Sequence, residues 1–277
     1  MLKSYTWDQF REVMARMCKA RSDQWKELLE VHGELDRIAV GIATRPMNLR
    51  EAIVPYVLAL LSMRSFRIAT GGVYLAASGY PDLVPNLNRT SWEIGLRILA
   101  MQEDPIAAAY GYLLQGVTTE IGTLEAEIEH RVKLGEQLGN LRRNLESLNS
   151  HRKELEKLAT EQGRDPSRAK NKFGKLNVRQ TCDRLGLEKS YLVTFAWDSG
   201  FVHEVNIASS DFTTQHGPEA RFEAGPLVEV PDAAAVDALR QCSFVLLWSA
   251  ETLGETDLAD ATQKCIDRLH ARGENAI

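Results

Sequence analysis

Two short stretches of the sequence place an arginine, a carboxylate, a hydroxyl and an imidazole at helical spacing. Arg89 and Glu93 are four residues apart in the first stretch, and Ser199 and His203 are four apart in the second. Residues at this spacing share one face of an α-helix, so each pair would present its polar groups together. Histidine titrates near neutral pH and could act as a general acid or base, while arginine could hold an anion. These four residues are our candidate catalytic set.

The same four residues also admit a purely structural interpretation. A half-buried Arg–Glu pair needs partners for its remaining donors and acceptors, and a nearby Ser/His face could supply them. Such a network can fix the register of packed helices. The catalytic interpretation predicts an enzyme acting on RNA or a phosphorylated small molecule, for example a ribonuclease or toxin-like nuclease. In it, His203 transfers the proton and Arg89 holds the anion.

Two longer runs around these residues carry a resemblance. The runs RIATGGVYLAASGYPDLVPNLNRTSWEIGLRILAM and LGLEKSYLVTFAWDSGFVHE resemble a bacterial family of helical proteins known only as a domain of unknown function. Its pattern is R-x3-E in one helix and, after a variable region, a tyrosine-containing helix with S-x3-H. The matching positions here are Arg89, Glu93, Tyr191, Ser199 and His203. The resemblance implies a helical fold and a site but no activity, and it leaves out the leucine-rich segment and the C-terminal third.

Several common functional classes lack their sequence signatures. No phosphate loop, GxGxxG fingerprint, HExxH or nucleophile elbow is present. The four cysteines are widely separated and have no zinc-ligand spacing, and the other five histidines read as isolated surface or capping residues. We therefore expect no cofactor and no metal. The net charge of −5 offers no overall basic surface for a duplex, although 33 Lys and Arg leave room for a local patch.

One segment, residues 178–197, imitates a DNA-binding helix-turn-helix. Cys182, Gly186 and Leu187 have the usual small–glycine–apolar spacing. A recognition helix should present polar side chains to base edges, but this one would present Tyr191, Phe195 and other core-like residues. Nucleic acid is therefore a disfavoured partner, though not an excluded one.

The elements that must position the candidate residues are helices. Capping residues and apolar periodicity predict helices that begin near Trp7, Trp25, Asn48, Asp82, Pro105, Asn177, Glu188, Asp232 and Thr256. The glycine pair Gly71-Gly72 falls inside one of them and costs about 1 kcal/mol per glycine relative to alanine. Close packing or a break in the helix would each explain this pair.

A leucine pattern follows the fifth predicted helix. Leucines recur at alternating spacings of four and three, with Arg152 interrupting one position and charged residues on both sides: Leu134, Leu138, Leu141, Leu145, Leu148 and Leu155. A narrow seam with charged flanks is typical of coiled-coil packing. The pattern predicts a long helix that projects from the bundle and pairs with a returning segment or with another subunit.

The chain as a whole is predicted to be all-α, a multi-helix bundle with a projecting, coiled-coil-like helical hairpin. We assign residues 1–277 to a single domain and residues 115–175 to the hairpin, and the sequence also allows a small β-hairpin at 221–230. The charged N-terminus does not resemble a signal peptide, and the most apolar run, residues 53–63, is shorter than the roughly 20 residues of a membrane span. We expect a cytoplasmic interaction or regulatory module that uses the hairpin to bind a protein partner or a second copy, without a membrane.

Overall fold

A computed structural model of the chain describes residues 25–44, 52–78, 80–174, 177–190, 213–216, 219–222 and 232–274. These residues are almost all helical and form a multi-helix bundle, as predicted. The chain divides into two compact units. The first comprises Met1–Arg45, Ala59–Leu96 and Cys182–Ile277, and the second Pro46–Leu58 and Arg97–Thr181.

The helices follow the predicted order. They are α1 (Lys26–Ala43), α2 (Ile53–Ala77), a 3-10 turn (Pro81–Leu83), α3 (Val84–Met101), α4 (Pro105–Lys133), α5 (Leu141–Glu161), α6 (Pro166–Ala169) with a π-helical turn (Lys170–Gly174), α7 (Val178–Leu185), α8 (Glu188–Ser190), α9 (Ala233–Leu253) and α10 (Thr256–Glu274). The predicted first helix at Trp7 lies outside the described residues, as does the continuation predicted for α8.

The glycine pair in α2 lies in an unbroken helix, so close packing is its explanation. A Cβ on Gly72 would lie 2.9 Å from the Cβ of Ala238 on α9 and 3.3 Å from Val84 Cγ1. A Cβ on Gly71 would meet only Leu87 Cδ1, at 3.5 Å. Of these two glycines, it is Gly72 that lets α2 and α9 approach each other closely.

Asp232 at the start of α9 was predicted to cap that helix, and this is wrong in detail. Its side chain makes no capping hydrogen bond. Instead Asp232 Oδ2 accepts a hydrogen bond of 2.7 Å from Arg272 Nε on α10, and Arg272 Nη1 donates to Glu27 on α1 at 2.8 Å. One guanidinium thus joins α1, the start of α9 and α10, because a tertiary ion pair outcompetes the local cap.

The second unit contains an antiparallel helical hairpin of α4 and α5. Asp104 caps α4, accepting a hydrogen bond of 3.2 Å from the backbone nitrogen of Ala107, as its sequence predicts. At the end of the hairpin away from the turn, α6 and the π-helical turn pack on α4. Gly111 is required in that contact because a Cβ there would overlap the carbonyl of Ala169.

The leucine pattern is split by the turn of the hairpin, so the prediction of one continuous seam is wrong at its start. Leu134 caps the end of α4, and Leu138 lies in the connection to α5. Gly135 and Gly139 have φ values of 71° and 50°, which no helix continues. The seam of α5 therefore begins at Leu141, and its pairing helix is the preceding segment of the same chain.

Two short strands are described besides the helices. Strand β1 (Thr213–His216) pairs with β2 (Glu219–Phe222) in an antiparallel register that places His216 opposite Glu219. The predicted β-hairpin at 221–230 shares only its first two residues with this pair, and residues 223–231 lie outside the described part of the chain.

Helix α2 is the one described helix that is long and apolar enough to cross a membrane. Its most apolar window is 56% buried inside the protein. That burial is expected of the core helix of a soluble protein, and one such helix is weak evidence for a membrane span.

Candidate functional site

Arg89 and Glu93 lie on one face of α3, as their spacing predicts. The Arg89 Nε and Glu93 Oε1 atoms are 3.4 Å apart, and the side chains are 24% and 32% exposed. The pair is therefore reached by solvent and is not sealed in the core. Partly exposed ion pairs of this kind contribute little to stability.

The other members of the candidate set lie outside the described residues. These are Ser199 and His203, together with Tyr191 from the family-like pattern. The structure thus brings together Arg89 and Glu93, and the four-residue catalytic set stays a prediction.

Buried hydroxyl contacts, which we did not predict, join the helices of the first unit. Ser65 Oγ and Ser91 Oγ are 2.6 Å apart between α2 and α3, and Ser62 Oγ donates to Ser249 Oγ on α9 at 2.9 Å. All four side chains are almost completely buried. These contacts can fix the register of the helices, the role that the structural interpretation gave to the Arg/Glu/Ser/His set.

His32 is also part of a tertiary contact, so its prediction as an isolated residue is wrong. Its Nε2 lies 2.9 Å from Thr70 Oγ1, and its ring packs 5.0 Å from that of Phe66. Thr70 Oγ1 donates its own proton to the carbonyl of Phe66. The Thr70 hydroxyl oxygen therefore accepts the hydrogen bond from His32, whose Nε2 is the protonated ring nitrogen that donates it.

The three described cysteines are buried thiols without a partner cysteine. Burial raises the pKa of Cys182 to about 11 and those of Cys242 and Cys265 to about 12. A thiol with such a pKa stays protonated at neutral pH and is a poor nucleophile. Among the residues that the structure describes, no group of three or more His, Cys, Asp or Glu side chains could hold a metal ion.

The surface of the α4–α5 hairpin carries an open groove of about 520 Å³, which we call the hairpin groove. It is lined by Thr119, Glu120, Thr123, Leu124 and Glu127 of α4 and by Asn144, Ser147 and Leu148 of α5. The lining combines two leucines with hydroxyls, an amide and two carboxylates. This mixture suits the face of an amphipathic helix better than a small anion.

The leucines of the hairpin are buried to different degrees along its length. Leu155 and Leu158, near α6, are 2% and 6% exposed. Leu145 and Leu148, nearer the turn, are only half-buried. Two helices can bury only what lies directly between them, so this end of the seam lacks a covering layer.

Charges on the hairpin are segregated between one segment of each helix. Residues 118–130 of α4 contain four glutamates and no lysine or arginine, whereas residues 141–153 of α5 contain four basic residues and one glutamate. Four ion pairs lie within single helices: Glu127–Arg131, Glu129–Lys133, Arg152–Glu156 and Lys157–Glu161. Glu120, Glu125, Arg142 and Arg143 have no ion-pair partner in the described part of the chain. Attraction within the hairpin therefore does not account for its charge segregation.

Comparison with known proteins gives a match to a family model. Residues 56–219 match the model of a family of unknown function, DUF5677. This match contains the whole of α4 and α5, so our placement of the hairpin outside the resemblance is wrong. No curated protein and no solved structure matches the chain.

Proposed function

The chain belongs to this family of unknown function, and we propose that it is a cytoplasmic interaction module whose hairpin groove binds an amphipathic helix. The observation that carries the proposal is the incomplete burial of the leucine seam. Leu155 is covered within the hairpin, whereas Leu148 opens into the groove.

A bound helix would complete this seam. Fully burying a leucine side chain contributes about 1.5–3 kcal/mol, and a helix laid along the groove would cover Leu124 and Leu148 together. Small side chains at Thr119, Thr123 and Ser147 allow the backbone of such a helix to come close. The groove walls would then hydrogen-bond to the polar flanks of the bound helix.

Site-specific photo-crosslinking tests the proposal in the native cytoplasm. A photoreactive phenylalanine analogue at Thr123 lies in the groove, whereas the same analogue at Glu125 lies on a different side, because two residues along a helix are about 200° apart. We expect a discrete protein adduct from Thr123 and little from Glu125. Equal yields at the two positions, or no adduct at either, would contradict the proposal.

An enzyme is the second candidate, supported by the solvent access of the Arg89–Glu93 pair. In this case Arg89 holds a phosphate of RNA or of a small molecule, and His203 transfers a proton. Expression of the wild type should then degrade cellular RNA or slow growth, and His203→Ala should abolish the effect. Harmless expression of both proteins, with intact RNA, would argue against a nuclease.

A further inference from the structure

We infer that the amphipathic helical surface that covers the hairpin groove is the hairpin of a second copy of this chain, packed with α4 of each hairpin against α5 of the other. The inference rests on the proposed function and names its partner. Two hairpins stacked face to face make a four-helix arrangement in which each covers the half-buried leucines of the other.

The hairpin carries both halves of a complementary interface. The acidic segment 118–130 of α4 and the basic segment 141–153 of α5 are what a twofold pair requires, because each segment meets its complement twice. Arg142 and Arg143 lie in the first turn of α5, which holds no acidic residue. The helix dipole disfavours cations there, so these arginines do not serve the stability of α5. A carboxylate from another molecule would compensate Arg143, the one that lies nearer the groove.

The lining of the groove shows which residues lie at the same level of the hairpin. It extends from Thr119 to Glu127 on α4 and from Asn144 to Leu148 on α5. Because the two helices are antiparallel, Glu127 and Asn144 both lie at the end nearer the turn. Arg143, next to Asn144, therefore lies at the level of Glu127.

Two twofold arrangements would stack the hairpins face to face. A twofold axis parallel to the helices leaves the height of every residue along the hairpin unchanged. It places α4 of each copy against α5 of the other. Glu127 of each copy then lies at the height of Arg143 of the other, so the interface contains this pair of opposite charges twice. An axis perpendicular to the helices places α4 against α4 with reversed levels, so Glu120 faces Glu127 across the interface. Like charges in contact are strongly disfavoured, so the first arrangement is the one we infer.

Charge reversal tests the pairing of helices. Sedimentation of purified protein should show that Glu127→Arg and Arg143→Glu each weaken self-association roughly tenfold or more, and that the double variant regains much of it. Glu125→Arg and Arg142→Glu are controls that change the same charges on the same helices but on sides away from the groove. Glu127→Arg also removes the ion pair with Arg131, so the decisive result for that position is the rescue in the double variant. Circular dichroism should show all variants equally helical. Equal effects of test and control substitutions, or no rescue, would overturn the inference.

Disulfide trapping between two singly substituted chains tests whether the twofold axis is parallel or perpendicular to the helices. Chains with Thr123→Cys and chains with Ser147→Cys, mixed and oxidised, should form mainly the mixed disulfide, identified by peptide mapping. The rejected perpendicular axis would instead favour a Thr123→Cys homodimer. Mixing separate chains prevents the intrachain bond that the two positions could form within one groove.

The outcomes separate this inference from the proposed function. A chain that stays monomeric up to about 100 µM, while position 123 crosslinks to a different protein in cells, would overturn the second copy and leave the interaction module standing. Absence of any groove-specific adduct, together with a monomeric chain, would overturn both.

Discussion

Leu155 and Leu148 lie two helical turns apart on the same face of α5; Leu155 is 2% exposed, whereas Leu148 is half-buried and lines the hairpin groove. Both were predicted to occupy one leucine seam. Near α6 the seam is finished within the chain, and towards the turn it is open. The difference between these ends is what indicates a partner, because a hairpin that served only the fold would gain nothing from leucines at its open end.

Truncation of two leucines should separate their roles. Leu155→Ala should lower the free energy of unfolding by about 2–5 kcal/mol, because it leaves a cavity in a buried site. Leu148→Ala should cost clearly less in dilute protein, since its side chain is already partly exposed to solvent. Urea unfolding of both variants at low concentration measures this, and equal losses would contradict the gradient of burial.

The glycine pair of α2 offers a matched comparison. Gly72→Ala should destabilise the protein by about 1–3 kcal/mol, because its Cβ would press on the Cβ of Ala238, which cannot swing aside. Gly71→Ala should be neutral or stabilise by up to about 1 kcal/mol, as alanine is the better helix former. Thermal unfolding of the two variants measures this difference in stability. A stabilising Gly72→Ala would show that the helices are not in close contact there.

The Arg272 guanidinium should matter more than its neighbour on α10. Arg272→Met leaves the carboxylate of Asp232, only 10% exposed, without its donor and should cost about 2 kcal/mol. Arg268 also reaches several carboxylates, including Glu34 at 2.9 Å, but it is 32% exposed. Arg268→Met should therefore cost less than about 1 kcal/mol. Chemical denaturation at constant ionic strength compares them, and a reversed order would contradict the burial of the Asp232 pair.

Alkaline pH should destabilise the fold through Cys242. Burial raises the pKa of its thiol from 9.0 to about 12. Below pH 9 the thiol is protonated in both states and the stability is complete. Above pH 9 the unfolded chain loses its proton first, so the free energy of unfolding falls as the pH rises towards 12. Cys242→Ala should show a shallower decline over this range, and identical slopes would contradict the raised pKa.

The helices could be predicted from the sequence because their signals are local. Asp104 before a proline, and Gly186 with its φ of 68°, mark a beginning and an end within a few residues. The turn at Leu134 was missed for the opposite reason. The spacing of the leucines continues through the turn without a change. The helix is broken only by the positive φ values of Gly135 and Gly139, which the leucine pattern does not reveal.

Contacts between distant residues could not be predicted in this way. Ser62 and Ser249 are 187 positions apart, and nothing beside either serine marks the hydrogen bond between them. Asp232 has the type and position of a helix cap, but Arg272 from another helix takes its carboxylate. The charge segregation of α4 and α5 is visible in the sequence. Which of those charges border the groove depends on the register and rotation of the two helices, which the turn between them sets.

The molar mass of the purified chain over a concentration series, measured by light scattering beside Leu148→Glu, tests the central claim most directly. Leu148→Glu places a charge in the groove without altering the buried end of the seam. We predict that the mass of the wild type rises from that of a monomer towards twice that value, while the variant remains a monomer and stays folded. A wild-type mass that stays monomeric at every concentration, or a variant that associates equally well, would contradict the account.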